Sequence, residues 1–373
     1  MRDYFVVINS NMLDSLSSFM DFSKINLSGV VIENGDKLDV RLNEKKIPSC
    51  DFSKLRYLVE SSTPPGEARY FLIGYQTNLS DTKNIRDIMV SFGADKKSIH
   101  NFSLSVFQRH LSQVKYATLH PLPLDFFATG ISYAEAALYI DEFKDMRGIN
   151  LAFSGQDLWS GYEIAKLVFS KRKVKFALIE LPIYAFSYDI SRSFSANWQA
   201  YHYRAFLPNF DEDFPDKDLI NLANDRFFAI YDNTPIAEES ERCGIRHPWQ
   251  NNTVSLKDYI TYESTLKTLD KPIYPKTAEK NQKILANYID LCKANGAKPI
   301  LFTLPHTTLV QKTLRKEVYE YFKSNLAEVL KDHSADFINL FYEKLNDDCF
   351  FDLTHLNASG AKIISKKIYD VVK

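Results

Sequence analysis

The sequence predicts an α/β fold: a doubly wound parallel sheet with a smaller α/β domain ahead of it. Three observations carry this. Short apolar stretches alternate with stretches of helical period along most of the chain, the connections in the second half are short, and 373 residues suffice for two ordinary domains. The boundary is expected at His120-Pro121-Leu122-Pro123, where each proline disfavours helix in the residue before it. This gives domains of residues 1–118 and 119–373.

In the first domain Tyr4–Ile8, Gly29–Glu33 and Tyr70–Ile73 have the apolar character of strands, and Ser10–Phe22 and Thr82–Phe92 the spacing of helices. The first strand runs into Asn9-Ser10-Asn11 rather than a G-x-G-x-x-G turn. The cradle that holds a dinucleotide pyrophosphate is therefore absent, and a structural or partner-binding role is the default for this domain.

The second series begins with a strand at Leu124–Thr129 and a helix at Tyr133–Phe143. A strand at Asn150–Phe153, a helix at Asp157–Phe169 and a strand at Lys175–Leu181 follow, and this β-α-β-α-β order places ligands beyond the C-terminal strand ends. Regularity then lapses over an aromatic-rich insertion at about 183–275, which includes Tyr184, Phe186, Tyr188, Phe194, Trp198, Tyr201, Tyr203, Phe206, Trp249 and Tyr259. It is too long for a plain loop, so helices of its own and a place over the active face as a lid are expected. Its aromatic faces suit sugar rings as well as each other. A helix at Ala278–Asn295 ending on Gly296, a strand at Lys298–Leu304, a helix at Leu309–Leu330, a strand at Asp336–Leu340 and a helix at Ala358–Val371 complete the series.

Composition narrows the classes of function. Basic and acidic residues balance, 46 against 47, so no global field draws in nucleic acid or an anionic membrane. Lys171-Arg172-Lys173 reads as a solvated helix end. No segment approaches the roughly 18 apolar residues of a spanning helix, and the apolar run at the N-terminus is too short for a signal peptide, so a cytoplasmic location is expected. Cys50, Cys243, Cys292 and Cys349 are too dispersed for a zinc site or a disulfide scaffold, and no metal is expected.

Chemistry concentrates at Asp352-Leu353-Thr354-His355, on a loop between the last strand and the last helix. A histidine removes the proton of a hydroxyl nucleophile when a nearby carboxylate fixes its tautomer and stabilises its cation. Ser132, in Thr129-Gly130-Ile131-Ser132-Tyr133, supplies a nucleophile at the end of another strand. Each residue also has a plainer role open to it: Ser132 as a helix cap, Asp352 as a turn residue, His355 as a loop histidine. Asn150 either orients the loops of the site or satisfies a strand end, and His306 follows Leu304-Pro305 at a further strand end, facing the same cleft.

Gly-x-Ser after the first strand of the second domain, Asn150-x-x-x-Ser154-Gly155 after the next, and Asp352-x-x-His355 before the last helix together resemble the SGNH (GDSL-like) hydrolases and acyltransferases. The resemblance covers roughly residues 120–373 and implies a flavodoxin-like sheet there; the first domain, expected to be Rossmann-like from its alternating elements, lies outside it. The resemblance makes Ser132 the nucleophile, His355 the general base and Asp352 the orienting acid, with the N–H groups of Ser132 and Gly155 facing the oxyanion. The chain departs from the pattern twice. Ile131 stands where the family often has Asp, and Glu180-Leu181-Pro182-Ile183-Tyr184 holds no asparagine where many members complete the oxyanion hole, which leaves Tyr184 as a candidate substrate or orienting residue.

The expected chemistry is acyl transfer through an acyl-serine on a carbohydrate ester or surface polysaccharide, such as a capsule. No cofactor is required, although an O-acyltransferase could take acetyl-CoA as donor and a glycan as acceptor. Two other readings stay open: a non-catalytic glycan-binding or assembly protein on the same scaffold, and a nucleotide-sugar enzyme that uses the first domain.

Overall fold

The structure is a computed structural model and describes residues 4–9, 27–33, 40–42, 45–61, 69–74, 85, 87–95, 98–190, 235–238, 252–270 and 272–373. The helix expected at Ser10–Phe22 and the insertion aromatics Phe194, Trp198, Tyr201, Tyr203, Phe206 and Trp249 lie outside these residues. Contacts divide the chain into two compact units, the first including Met1–Leu111 and the second formed by Ser112–Ser193 and Ile236–Lys373.

In the first unit β1 (Tyr4–Asn9), β2 (Leu27–Glu33), β5 (Ser49–Asp51), β6 (Arg69–Gly74) and β7 (Ile99–Ser103) form a sheet in the order β5-β2-β1-β6-β7. Every pairing in it is parallel. Short β3 (Val40–Leu42) and β4 (Lys45–Ile47) pair antiparallel by themselves. Val6, Val7 and Ile8 are all buried, as are Val30, Val31 and Ile32. Such runs, without polar alternation, are what a sheet covered on both faces requires. Helix α1 (Leu55–Ser61) packs Leu55 and Val59 against Val7, Val31, Met89 and Ile99. The sequence does not announce β3, β4, β5, α1 and β7, because strands of three to five residues and a helix of seven carry little periodic signal.

Helix α2 (Leu104–Leu119) leads into His120, and the division between the units falls inside it. In the second unit the strands are β8 (Phe126–Thr129), β9 (Gly148–Asn150), β10 (Phe176–Glu180), β11 (Lys298–Thr303) and β12 (Asp336–Asn339). All are parallel, in the order β12-β11-β10-β8-β9. Counted within the unit this is 2-1-3-4-5. The winding reverses between β8 and β10, and the crevice a doubly wound sheet offers to ligands lies at their C-terminal ends.

The helices of this unit are α3 (Ser132–Ala137), α4 (Leu158–Phe169), α5 (Leu256–Ile260), α6 (Tyr262–Leu269), α7 (Pro275–Ala294), α8 (Thr308–Thr313), α9 (Lys316–Asp332) and α10 (Ala358–Val372). α10 packs on α3, and α7 on α4 and α9. None of the described helices is long and apolar enough to cross a membrane.

Three expected elements come out differently. The helix expected over Tyr133–Phe143 stops at Ala137 and resumes as a 3-10 turn at Ile140–Glu142. Ser365 of α10 intervenes there, its Oγ donating to the Ala137 carbonyl at 3.0 Å and accepting the Tyr139 N–H at 2.7 Å. The strand expected over Asn150–Phe153 ends at Asn150, whose own side chain takes the Ala152 N–H at 3.0 Å. The helix expected over Leu309–Leu330 breaks into α8 and α9 at extended Leu314 and Arg315, where Arg315 Nε donates to Asp270 at 2.7 Å.

Candidate active site

The strand β8 is buried along its whole length and delivers the chain to the crevice at Gly130-Ile131-Ser132. Four neighbours hold this turn. Gly130 N–H donates to Gln156 Oε1 at 2.9 Å, and the Gly130 carbonyl accepts from Phe153 N–H at 3.1 Å. Ile131 N–H donates to Glu180 Oε2 at 2.9 Å, and Thr129 Oγ1 meets the Tyr288 hydroxyl at 2.9 Å. Ser132 then opens α3 as its first residue. Its N–H has no carbonyl one turn back within the helix, so it is free to face a ligand.

The second loop follows β9. Asn150 Nδ2 donates to the Ala134 carbonyl at 3.0 Å while Oδ1 accepts from Ala152, so this buried amide ties α3 to the loop that carries Gly155. Ser154 Oγ adds a bond to Glu135 Oε2 at 2.6 Å. Gly155 has φ +79°, a region open to glycine at no steric cost, and its carbonyl is fixed by the Tyr188 hydroxyl at 3.0 Å.

The third loop follows β12. It is closed by an isolated bridge between Phe350 and Leu356 and by Phe351 N–H donating to the His355 carbonyl at 2.8 Å. Asp352 Oδ1 organises its interior by accepting from Thr354 N–H at 2.7 Å, Thr354 Oγ1 at 3.0 Å and His355 N–H at 2.8 Å. Such local side-chain to backbone bonding suits an Asp at a turn. Asn357 ends the loop by capping α10, its Oδ1 accepting from Ser359 and Gly360.

Ser132 Oγ lies 2.9 Å from His355 Nε2, and His355 Nδ1 lies 2.9 Å from Asp352 Oδ2. With the proton on Nδ1 held by the carboxylate, Nε2 presents its lone pair to the serine hydroxyl. Ser132, Gly155, Asp352 and His355 are all half-buried, so the group is reached from solvent. Burial by itself would raise the Asp352 carboxyl. The charge of a protonated His355 and the hydrogen bonds from His355 and Thr354 outweigh it and hold the group well below the usual carboxylate range. Asp352 is thus a permanent anion behind the imidazole.

His306 and Tyr184 stand behind this group rather than in the cleft. His306 is 2% exposed, and its Nδ1 donates to the Thr354 carbonyl at 3.1 Å. Burial lowers the His306 imidazole to about 4, against the opposing pull of that carbonyl, so it is neutral at ordinary pH. Beside it, Thr307 donates to the Leu353 carbonyl through both its N–H at 3.1 Å and its Oγ1 at 3.0 Å. The end of β11 therefore clamps the loop of Asp352 and His355. Tyr184, 5% exposed, packs edge-on to the Tyr133 ring, which in turn lies 4.8 Å from the His355 ring and 5.0 Å from that of His306, centre to centre.

The described part of the insertion reaches the same loop: Val254 N–H donates to the Phe350 carbonyl at 3.0 Å, Asn357 Nδ2 to the Asn252 carbonyl at 3.1 Å, and the Tyr259 hydroxyl to Asp347. Among the described residues no group of three or more His, Cys, Asp or Glu side chains is placed to hold a metal ion.

Sequence reading missed Glu180, Gln156, Thr354 and Tyr188. Glu180 did leave a signal, as a carboxyl ending the otherwise apolar stretch Phe176-Ala177-Leu178-Ile179. A charged group there is either at a strand end in water or buried with a task. Gln156 and Tyr188 act through contacts across 26 and 33 positions of sequence, and nothing local marks them.

No protein-family model and no curated protein matches the chain. Among solved structures it is similar to the psychrotrophic esterase EstA from Pseudoalteromonas sp., at 12% identity and a TM-score of 0.33 over 66% of this chain and 95% of that one. It is similar to a GDSL-like lipase from Bacteroides thetaiotaomicron, at 12% identity and a TM-score of 0.34 over 72% and 99%. A family two carbohydrate esterase from Clostridium thermocellum matches at 11% identity and a TM-score of 0.33 over 68% and 64%. At these identities and scores the matches assign no role to any residue.

Proposed function

We propose that the second unit carries an SGNH-type serine centre for acyl-ester chemistry, with Ser132 as nucleophile, His355 as general base and Asp352 as the acid that orients it. The observation that carries this reading is the continuous run from Ser132 Oγ through the His355 ring to Asp352, with 2.9 Å at each step. A serine hydroxyl is nearly inert until a base within hydrogen-bond reach takes its proton. Ser132 Oγ attacks the ester carbonyl as its proton passes to His355 Nε2, and the new imidazolium is stabilised by the Asp352 anion. The carbonyl oxygen becomes an oxyanion, for which the N–H groups of Ser132 and Gly155 are the donors in this reading. Collapse expels the alkoxide, which takes the proton back from His355. The acyl-Ser132 intermediate is then resolved by water, giving a carboxylic acid, or by a hydroxyl acceptor, giving a new ester.

A carbohydrate ester is the substrate class we favour. The support is the aromatic content of residues 183–275 together with the resemblance to branches of the family that lack the third-block asparagine. Tyr184 and Phe186 are buried and so form no part of a sugar platform. Among the described aromatics of that stretch, Tyr188, Tyr259 and Tyr262 are half-buried and Tyr274 is exposed. Pro182 occupies the third block and brings no side-chain amide, which favours an oxyanion site built chiefly on backbone donors.

The test is covalent labelling by a fluorophosphonate, alongside turnover of acetylated sugars with water or with a second glycan as acceptor. The expected result is labelling of the wild-type chain, none of Ser132→Ala, and a loss of turnover in that variant of about 10⁴-fold or more. Equal labelling of both chains, with no turnover by either, would leave a binding or assembly scaffold as the function.

A further inference from the structure

The carboxyl of Glu180 has no part in the acid–base run, yet it sits directly beneath the nucleophile. Its Oε2 accepts the Ile131 N–H at 2.9 Å, one residue before Ser132. The fit is close: a Cβ on Gly130 would lie 2.6 Å from Glu180 Cβ, 2.7 Å from Oε2 and 2.9 Å from Ala134 Cβ. The side chain is 2% exposed, and among the described residues Oε1 has no hydrogen-bond partner. Glu180 lines a partly open cavity of about 20 Å³ at the Gly130-Ile131 turn, large enough for one water.

The titratable groups around it share its sign. Tyr133 of α3 and Tyr184 after β10 lie within its field. Asp157 at the start of α4, Tyr188 and Tyr288 of α7 line the same cavity, to which β8 contributes Thr129 and Gly130. Among the described residues no lysine, arginine or histidine lines it. We propose that Glu180 is a positioning residue for Ser132, and that it holds the Gly130-Ile131 turn as a protonated, uncharged acid. This rests on the reading of Ser132 as nucleophile. A buried carboxylate facing one N–H and no cation is costly, whereas the neutral acid keeps an acceptor oxygen for Ile131 and adds a donor toward the cavity. Burial pushes the Glu180 carboxyl up to about 8, with the Ile131 N–H opposing it only in part.

The sign of the pH effect follows. Between the ordinary carboxylate range and about 8 the folded chain binds one proton more than the unfolded chain, so this group lowers stability as pH rises through that window. Glutamine copies the neutral acid and does not titrate. We expect the full-length Glu180→Gln chain to react with a fluorophosphonate within about threefold of wild type at pH 7, and Glu180→Ala to react about tenfold or more slowly, as loss of one buried hydrogen bond implies. We also expect the melting temperature of Glu180→Gln relative to wild type to rise by about 3 °C or more from pH 5 to pH 8 and to level off above.

A melting difference that stays constant from pH 5 to pH 9 overturns the protonated state. Wild-type reactivity in Glu180→Ala, or an equal loss in both variants, overturns the positioning role. Should Glu180→Ala fail to fold, Glu180→Met, of similar length but with no acceptor for the Ile131 N–H, takes its place in the reactivity comparison, and the glutamine variant decides the protonation state. A wild-type chain that takes no label defeats the nucleophile reading, and the melting comparison still decides the state of Glu180.

Discussion

The second unit holds two acidic side chains at its crevice, one on the loop after β12 and one at the end of β10, and their environments drive them apart. Asp352 accepts from the Thr354 N–H and hydroxyl, the His355 N–H and the His355 ring, and is held as an anion. Glu180 accepts one N–H in a cavity whose lining carries no cation, and burial raises it to about 8. The charge of the imidazole together with the donors aimed at Asp352 outweighs burial, whereas at Glu180 burial outweighs a single donor. The half-buried loop turns its carboxylate into the partner of an imidazole. The buried strand end turns its carboxyl into a neutral brace.

The severest way to break this contrast is to make the anion neutral. Asp352→Asn keeps the shape but offers an amide to His355 Nδ1, which reverses the tautomer the serine needs. Ester turnover should fall about 10⁴-fold, with the thermal midpoint little changed. A loss below about tenfold would mean that the carboxylate does not act on the imidazole.

His306 sharpens the comparison from the other side of the loop. Removing its bond to the Thr354 carbonyl in His306→Ala should slow turnover by about tenfold, and the cavity left behind should cost about 2 kcal/mol or more. Its imidazole also predicts a pH effect on stability. The folded value is lowered to about 4, so between the ordinary histidine range and 4 the unfolded chain binds the extra proton. The contribution of neutral His306 is complete above that range and is lost as pH falls toward 4. Histidine NMR should find one buried imidazole still neutral at pH 5. A His306 signal titrating near the ordinary histidine value would exclude this.

The smallest effect is expected at Tyr188, whose hydroxyl fixes the Gly155 carbonyl and hence the direction of its N–H. Tyr188→Phe removes a single neutral hydrogen bond, worth about 1 kcal/mol, so turnover should fall about fivefold without a change in folding. Turnover equal to wild type would take Gly155 out of the oxyanion site.

What the sequence settled by itself was the alternation of elements and the residues with the most distinctive chemistry. Buried parallel strands appear as unbroken apolar runs, so four of the five strands of the second unit could be read almost in place, while Gly148–Asn150 lies ahead of the stretch expected for it. Asp352-x-x-His355 is local, since a turn brings acid and base together within a few residues. The serine was legible through Gly130 and Ser132 at a strand end, although nothing in the sequence fixes its distance to His355.

The tertiary structure alone decided the rest. Strand order is a property of the sheet, and it is the order β12-β11-β10-β8-β9 that brings Glu180 beneath the nucleophile turn. Helix ends at Ala137 and Leu314 answer to Ser365 and Asp270, far away in sequence. The supports of the site, Gln156, Glu180, His306 and Tyr188, are single side chains whose partners are backbone groups on other loops. A backbone N–H or carbonyl is the same in every residue, so a bond to it leaves no mark in the partner's sequence, and only the folded chain discloses it.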